Sequence, residues 1–180
     1  IDEHVLAYSN GSGPERSLVV FHDRFASTSG SIRDSAAYAL KSPDGSKRLV
    51  RRSLAAGLGL PNDAGTFVIF RDARTGLESL RSCRSIWEHG LHLSLDAYSV
   101  RVFWEFREVH DGTAGQWARL AARLGGSAVP SLDDALRELQ LEPVHRPFRQ
   151  IFADGLVAAV LEGTATTERL DELERRYETF

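Results

Sequence analysis

The stretch Leu91–Phe106, LHLSLDAYSVRVFWEF, sets Leu91, Leu93 and Leu95 against His92 and Ser94, and after Asp96-Ala97 the alternation resumes. Tyr98, Val100, Val102, Trp104 and Phe106 then fall on one side and Ser99, Arg101 and Glu105 on the other, with Phe103 the one apolar residue of the second side. Side chains of a strand point to opposite faces in turn, so this pattern predicts two half-buried strands joined at a short bend. A broad apolar face of this kind needs a second layer to cover it.

Working outward, Val5-Leu6-Ala7-Tyr8-Ser9 and Leu18-Val19-Val20-Phe21-His22 flank Asn10–Ser17, NGSGPERS, whose turn-forming residues predict a hairpin with a long loop. The nearly continuous apolar runs predict strands covered on both faces. Residues 24–34 are polar and predicted to be loop, and residues 35–40 are a third strand or a helix. Ser42-Pro-Asp-Gly45 is a turn by composition. Leu49, Val50, Leu54 and Leu58 recur at helical spacing, so a short helix is expected over residues 47–58. Thr66–Phe70 and Leu77–Leu80 bracket a second hairpin turn ending at Gly76, and residues 82–89 form a short helix closed by Gly90.

Beyond Val109 the period changes. Trp117, Leu120, Ala121 and Leu124 mark an amphipathic helix that stops at Gly125-Gly126. Ser131 caps another, with Asp133 and Asp134 in its first turn, where the helix dipole favours anions. Pro143 and Pro147 are expected to interrupt it. Two more helices follow, over residues 152–161 and from Thr166-Thr167 through Leu170, Leu173 and Tyr177. The expected fold is α+β overall: an antiparallel, Greek-key-like β-sandwich over residues 1–109 and a helical extension over residues 110–180, with the junction at Glu108–Thr113.

Bulk properties exclude several classes. The net charge is −3, with 14 basic and 13 acidic residues in 1–110 and 8 and 12 in 111–180, so neither part is the polycation that phosphate-dominated nucleic-acid binding needs. No run of about eighteen apolar residues predicts a membrane span. No leader pattern is visible at Ile1-Asp2-Glu3-His4; the true N-terminus is expected to lie upstream, and a cytoplasmic setting is the starting expectation. The chain has no methionine, even at its start, which suits a piece of a longer protein. Its single cysteine, Cys83, excludes an internal disulfide and a Cys-rich zinc site and reads as a small semi-buried side chain.

No catalytic constellation emerges. His22-Asp23 and His110-Asp111 are adjacent in sequence and so point to opposite faces of a strand, and His89, His92 and His145 lack the spacing that sets two ligands on one helix face. Neither a metal nor a cofactor is expected. There is no Gly-x-Ser-x-Gly elbow, and Gly11-Ser-Gly13 sits in a hairpin instead of before a helix. Aromatic rings stack on the apolar faces of sugars, which makes Tyr8, Tyr38 and the three tryptophans candidates for carbohydrate contact. Trp104 and Trp117 follow buried patterns, so Trp87 is the first candidate. In His145-Arg-Pro-Phe-Arg149, Arg146 and Arg149 are candidate interface residues able to clasp carboxylates. The apolar face of the last helix packs within the chain or against a second copy of it.

LSLDAYSVRVFWEF resembles the closing strands of the C-terminal antiparallel sandwich of α-amylase-type enzymes, glycoside hydrolase family 13, and VLAYSNGSGPERSLVVFHDRF resembles its first hairpin. In that family the chemistry resides in a separate upstream (β/α)₈ barrel, where two carboxylates flank the scissile bond. None of the family's barrel motifs occurs in these 180 residues. The resemblance therefore implies a non-catalytic accessory domain whose partner is the upstream catalytic domain of the same polypeptide. A carbohydrate-binding module for α-glucan and a protein-interaction module are the alternatives. The helices of residues 110–180, and those expected at 47–58 and 82–89, are additions to the family pattern.

Overall fold

The computed structural model describes residues 3–12, 15–43, 45–152, 156–163 and 165–178. The chain is an α+β protein of mostly antiparallel sheets and helices, with no closed barrel among the described residues, and it divides into two compact units, Ile1–Leu132 and Asp133–Phe180.

Among the described residues the first unit holds nine strands, β1 (Val5–Ser12), β2 (Glu15–His22), β3 (Thr28–Ile32), β4 (Tyr38–Lys41), β5 (Lys47–Val50), β6 (Thr66–Asp72), β7 (Glu78–Ser82), β8 (Leu91–Leu95) and β9 (Val100–His110). Its helices are α1 (Leu54–Gly57), α2 (Cys83–His89) and α3 (Gln116–Leu124). Five strands form one sheet in the order β1-β2-β9-β6-β7, while β3-β8 and β4-β5 form separate two-stranded ribbons. The bend after Leu95 therefore transfers the chain from one sheet to another. That corner is pinned by the end of β2: the N–H of His22 donates to Ser99 O at 3.0 Å and its Nδ1–H to Asp96 O at 3.0 Å. Tyr98, at φ 50°, donates its N–H to Arg24 O.

One face of the five-stranded sheet carries Leu18, Val20, Val68, Phe70, Phe103 and Phe106, covered by Leu54, Ala55 and Leu58 of the α1 region, Cys83 and Ile86 of α2, and Leu91 and Leu95 of β8. Phe70 meets Phe103 edge-on and stacks on Phe106, both at 5.3 Å between ring centroids. Burial of each ring stabilises by about 1.5–3 kcal/mol.

Phe103 and Phe106 can share a face only because the alternation breaks between them. Arg71 lies opposite Trp104 and Ile69 opposite Arg107, so two steps along β6 answer three along β9. The extra residue is Glu105, at φ 52°, and this β-bulge reverses the parity of the strand. The expectation that Trp104 is core is thereby overturned: it is 47% exposed, and Phe103 is buried in its place.

Other differences have local causes. The first hairpin has no long loop, since its register runs from Val5↔His22 to Ser12↔Glu15. β1 is an edge strand with mostly exposed side chains, not a strand covered on both faces. β3 lies in the stretch expected to be loop, because TSGSI has no apolar alternation and gains its structure from pairing with β8. Of the helix expected over 47–58, only Leu54–Gly57 forms. Leu49 and Val50 instead pair with β4, a case of tertiary pairing overriding spacing. The second hairpin and α2 match expectation, and Gly90 is required twice over, by φ 76° and because a Cβ there would lie 2.4 Å from Ile32 O.

α3 is anchored by Asp111, whose two carboxylate oxygens accept the N–H groups of Trp117 and Ala118 at 2.9 Å each, and it packs against β7. It belongs to the first unit.

The second unit holds most of α4 (Leu132–Phe152), with α5 (Leu156–Leu161) and α6 (Thr167–Glu178). α4 continues through Pro143 and Pro147 where an interruption was expected. Each proline removes one helical donor, at a cost of about 3 kcal/mol in a helix interior. The helix expected from Phe152 begins at Leu156; residues 153–155 lie outside the described ones. α5 packs against α6, and Thr166 O accepts the N–H groups of Arg169 and Leu170 at the start of α6. Among the described residues no helix is long and apolar enough to cross a membrane.

Candidate functional site

The second face of the five-stranded sheet is unevenly covered. On β6 and β7 it carries Phe67, Ile69 and Leu80, all buried, on the side where α3 packs with its buried Trp117 and Leu120. Trp117 is a core residue, as its helical spacing predicted.

On β1, β2 and β9 the same face is open. The registers align Leu6 with Phe21 and Val100 in one row, and Tyr8 with Val19 and Val102 in the next. Leu6 is 56% exposed, Tyr8 62% and Val100 42%, so two contiguous rows of apolar side chains meet solvent. Exposed apolar residues scattered singly need no explanation, whereas a contiguous patch marks a surface built for contact.

Beyond these rows the surface turns polar. Asn10 pairs with Ser17, and Trp104 shares this face with Val100 and Val102 by regular alternation ahead of the bulge. An open depression of about 640 Å³ lies here, lined by Asn10, Glu15, Arg16, Ser17, Trp104 and Glu105 among others.

The cations around the depression are engaged. Arg16 forms a bidentate pair with Glu108, its Nη1 to Oε1 at 2.5 Å and its Nη2 to Oε2 at 3.0 Å, and donates to Leu58 O and Phe106 O as well. Its Nε–H is buried without a partner among the described residues. Arg71 donates to Glu105 at 2.7 Å, to Glu78 at 2.8 Å and to Gly76 O at 2.7 Å. Bidentate, charge-assisted pairs of this kind are the strong ones, and here they clamp β2 to β9 and β6 to β7 and β9.

The sites expected from sequence are placed elsewhere. Trp87 is half-buried against the core, and its indole N–H donates to Leu60 O at 3.0 Å. Its polar edge is thus used inside the fold. Arg146 and Arg149 are exposed on α4, beside Phe148, whose ring meets Phe152 at 4.9 Å. Tyr38 is exposed on β4. The open face itself escaped the sequence reading. Its one readable signal is Phe103, an apolar residue out of phase with its neighbours.

One chain of hydrogen bonds has the composition of a catalytic relay. Thr66 Oγ1 lies 2.7 and 2.9 Å from the carboxylate oxygens of Asp63 and 2.8 Å from His110 Nδ1. Thr66 is fully buried, so its hydroxyl meets no substrate, and the relay braces the start of β6 against the end of β9. Burial pushes the Cys83 thiol up to about 12, which leaves it protonated and unreactive at neutral pH. Among the described residues no group of three or more His, Cys, Asp or Glu side chains is arranged to hold a metal ion.

The class is therefore an α+β protein whose main sheet is half open. No protein-family model, curated protein or solved structure matches this chain.

Proposed function

We propose that this chain is a non-catalytic accessory domain that binds another folded surface through the open half of its main sheet. The observation that carries the docking role is the pair of apolar rows Leu6-Phe21-Val100 and Tyr8-Val19-Val102. Water contact with such a patch is unfavourable by about 25 cal/mol per Å² of apolar surface, and a partner surface removes that cost. The choice of partner rests on the resemblance of residues 5–106: the catalytic barrel of an α-amylase-like glycosidase, on the same polypeptide. In this reading the first unit is a Greek-key-like sandwich in which the ribbons β3-β8 and β4-β5, with α1 and α2, stand where the second sheet would be. The domain would hold the barrel's stability and orientation, and hydrolysis would belong to the barrel.

The test supplies the parent polypeptide's catalytic domain in trans and titrates it with this chain, with Phe21→Ser and with Val100→Ser. Saturable binding by the wild type, weakened about tenfold or more by either substitution (~1.4 kcal/mol), is the expected result. Equal binding by all three would remove the open face from the interface, and glucosidase activity of the chain alone would end the non-catalytic reading.

A further inference from the structure

We propose that the depression beside Trp104 binds a neutral carbohydrate, with the indole as its stacking platform. The argument begins with the bulge. Glu105, a residue with a side chain, is held at φ 52°, in the left-handed region where such residues are strained. Bulges re-aim side chains and are enriched beside functional sites. Here the bulge returns Phe106 to the core face beside Phe103, while Trp104, which precedes it, faces outward by ordinary alternation, next to a depression whose lining includes the bulged Glu105.

The lining then selects the ligand. Asn10 offers an amide donor and acceptor, Ser17 a hydroxyl and Glu15 a carboxylate, the groups that hydrogen-bond hydroxyls in both senses. The terminal N–H groups of Arg16 and the guanidinium of Arg71 already serve Glu108, Glu105, Glu78 and backbone carbonyls, which leaves an anion poorly served. An apolar ligand favours an enclosed pocket, and this depression is open. A sugar ring meets these conditions together: its C–H face lies on an aromatic ring, its hydroxyls reach the polar lining, and its far side stays in water. The site uses the row of Trp104, whereas docking uses the rows of Leu6 and Tyr8.

The test titrates the full chain with α- and β-linked gluco-oligosaccharides, xylo-oligosaccharides, manno-oligosaccharides and choline, followed by calorimetry and by quenching of tryptophan fluorescence. At least one neutral oligosaccharide should bind with Kd of about 1 mM and shield Trp104 from quencher, unaffected by salt. Trp104→Ala should weaken binding about tenfold or more and Trp104→Phe, which keeps a ring, about threefold or less. Asn10→Ala and Glu15→Ala carry the test if Trp104→Ala does not fold. Absence of binding across the panel, binding that survives Trp104→Ala, or salt-sensitive binding of choline in place of sugars would each overturn the proposal. Phe21→Ser should weaken docking about tenfold or more and leave sugar binding intact, which separates failure here from failure of the docking reading.

Discussion

Glu78 and Leu132, 54 residues apart, are joined by a hydrogen bond of 2.7 Å from the backbone N–H of Leu132 to Glu78 Oε2. The other carboxylate oxygen of Glu78 takes Arg71 Nη2 at 2.8 Å, and its backbone exchanges two hydrogen bonds with Val129. One nearly buried side chain thus ties β7 to β6 and to the residues that follow α3. The N–H of Leu132 opens a helix, where no intrahelical carbonyl is available to it.

Removing that carboxylate leaves a buried donor and a charged Arg71 short of a partner. Glu78→Ala should destabilise the chain by about 2–4 kcal/mol, and Glu78→Gln, which keeps an acceptor for Leu132, by about 1–2 kcal/mol. Urea denaturation measures both. A loss below ~0.5 kcal/mol for the alanine variant would show that water replaces the carboxylate.

The bulge makes opposite predictions for neighbouring aromatics. Phe106→Ala removes a ring stacked on Phe70 and should cost about 3–5 kcal/mol, whereas Trp104→Ala should cost ~1 kcal/mol or less. Glu105→Gly relieves the left-handed backbone while losing an exposed ion pair with Arg71, for a net change within about 1 kcal/mol. Glu105→Val keeps the strain and adds a β-branched side chain, for a loss of about 1–3 kcal/mol. Equal costs at 104 and 106 would mean that the strand keeps simple alternation.

These residues also mark how far the sequence could be read. Periodicity located β6, β7, α2, α3 and both halves of Leu91–Phe106, because each carries an apolar repeat or a glycine stop of its own. It missed β3, whose partner β8 lies far along the chain, and β5, where helical spacing of Leu49, Val50 and Leu54 masked a local hairpin with β4, and it could not show that β8 and β9 lie in different sheets. A period-two pattern assumes an unbroken pleat, so one extra residue at Glu105 inverted the faces and assigned Trp104 to the core. Trp87 looked unconstrained because nothing in its own segment announces Leu60 O, 27 residues away, as the acceptor of its indole N–H. The open face depends on which strands α3 covers, a property of packing that no single segment encodes.

Asp63 supplies a pH-dependent contribution. The Thr66 hydroxyl, chiefly, with backbone N–H groups of Gly65 and Thr66 and the nearby His110, holds its carboxyl below the usual carboxylate value against a smaller opposing effect of burial. A depressed folded-state pKa stabilises above the unfolded value of about 3.9 and loses that stabilisation as pH falls through the folded value. Asp63→Asn should therefore lower stability at pH 6 and flatten the acid limb of the stability curve below about pH 4, read by thermal melts at stepped pH. An unchanged acid limb would show that other carboxylates account for it.

Cys83 reports on the core from within. It is fully buried in the cluster with Val68 and Phe70, and burial, aided by the charges of Glu108 and Asp63, raises its thiol to about 12. The thiolate is the reactive form, so a disulfide reagent at pH 8 should label the native chain only as fast as it unfolds, and labelling should accelerate with urea in step with the unfolding rate. The raised pKa also carries a sign. The native state keeps its proton while the unfolded thiol ionises above about 8.5, so stability is full below that pH and falls as pH rises toward 12. Cys83→Ala should remove this alkaline contribution and leave a small cavity. Rapid labelling of the native chain at pH 8 would instead show that α2 opens locally from the sheet, exposing the layer that covers Phe70.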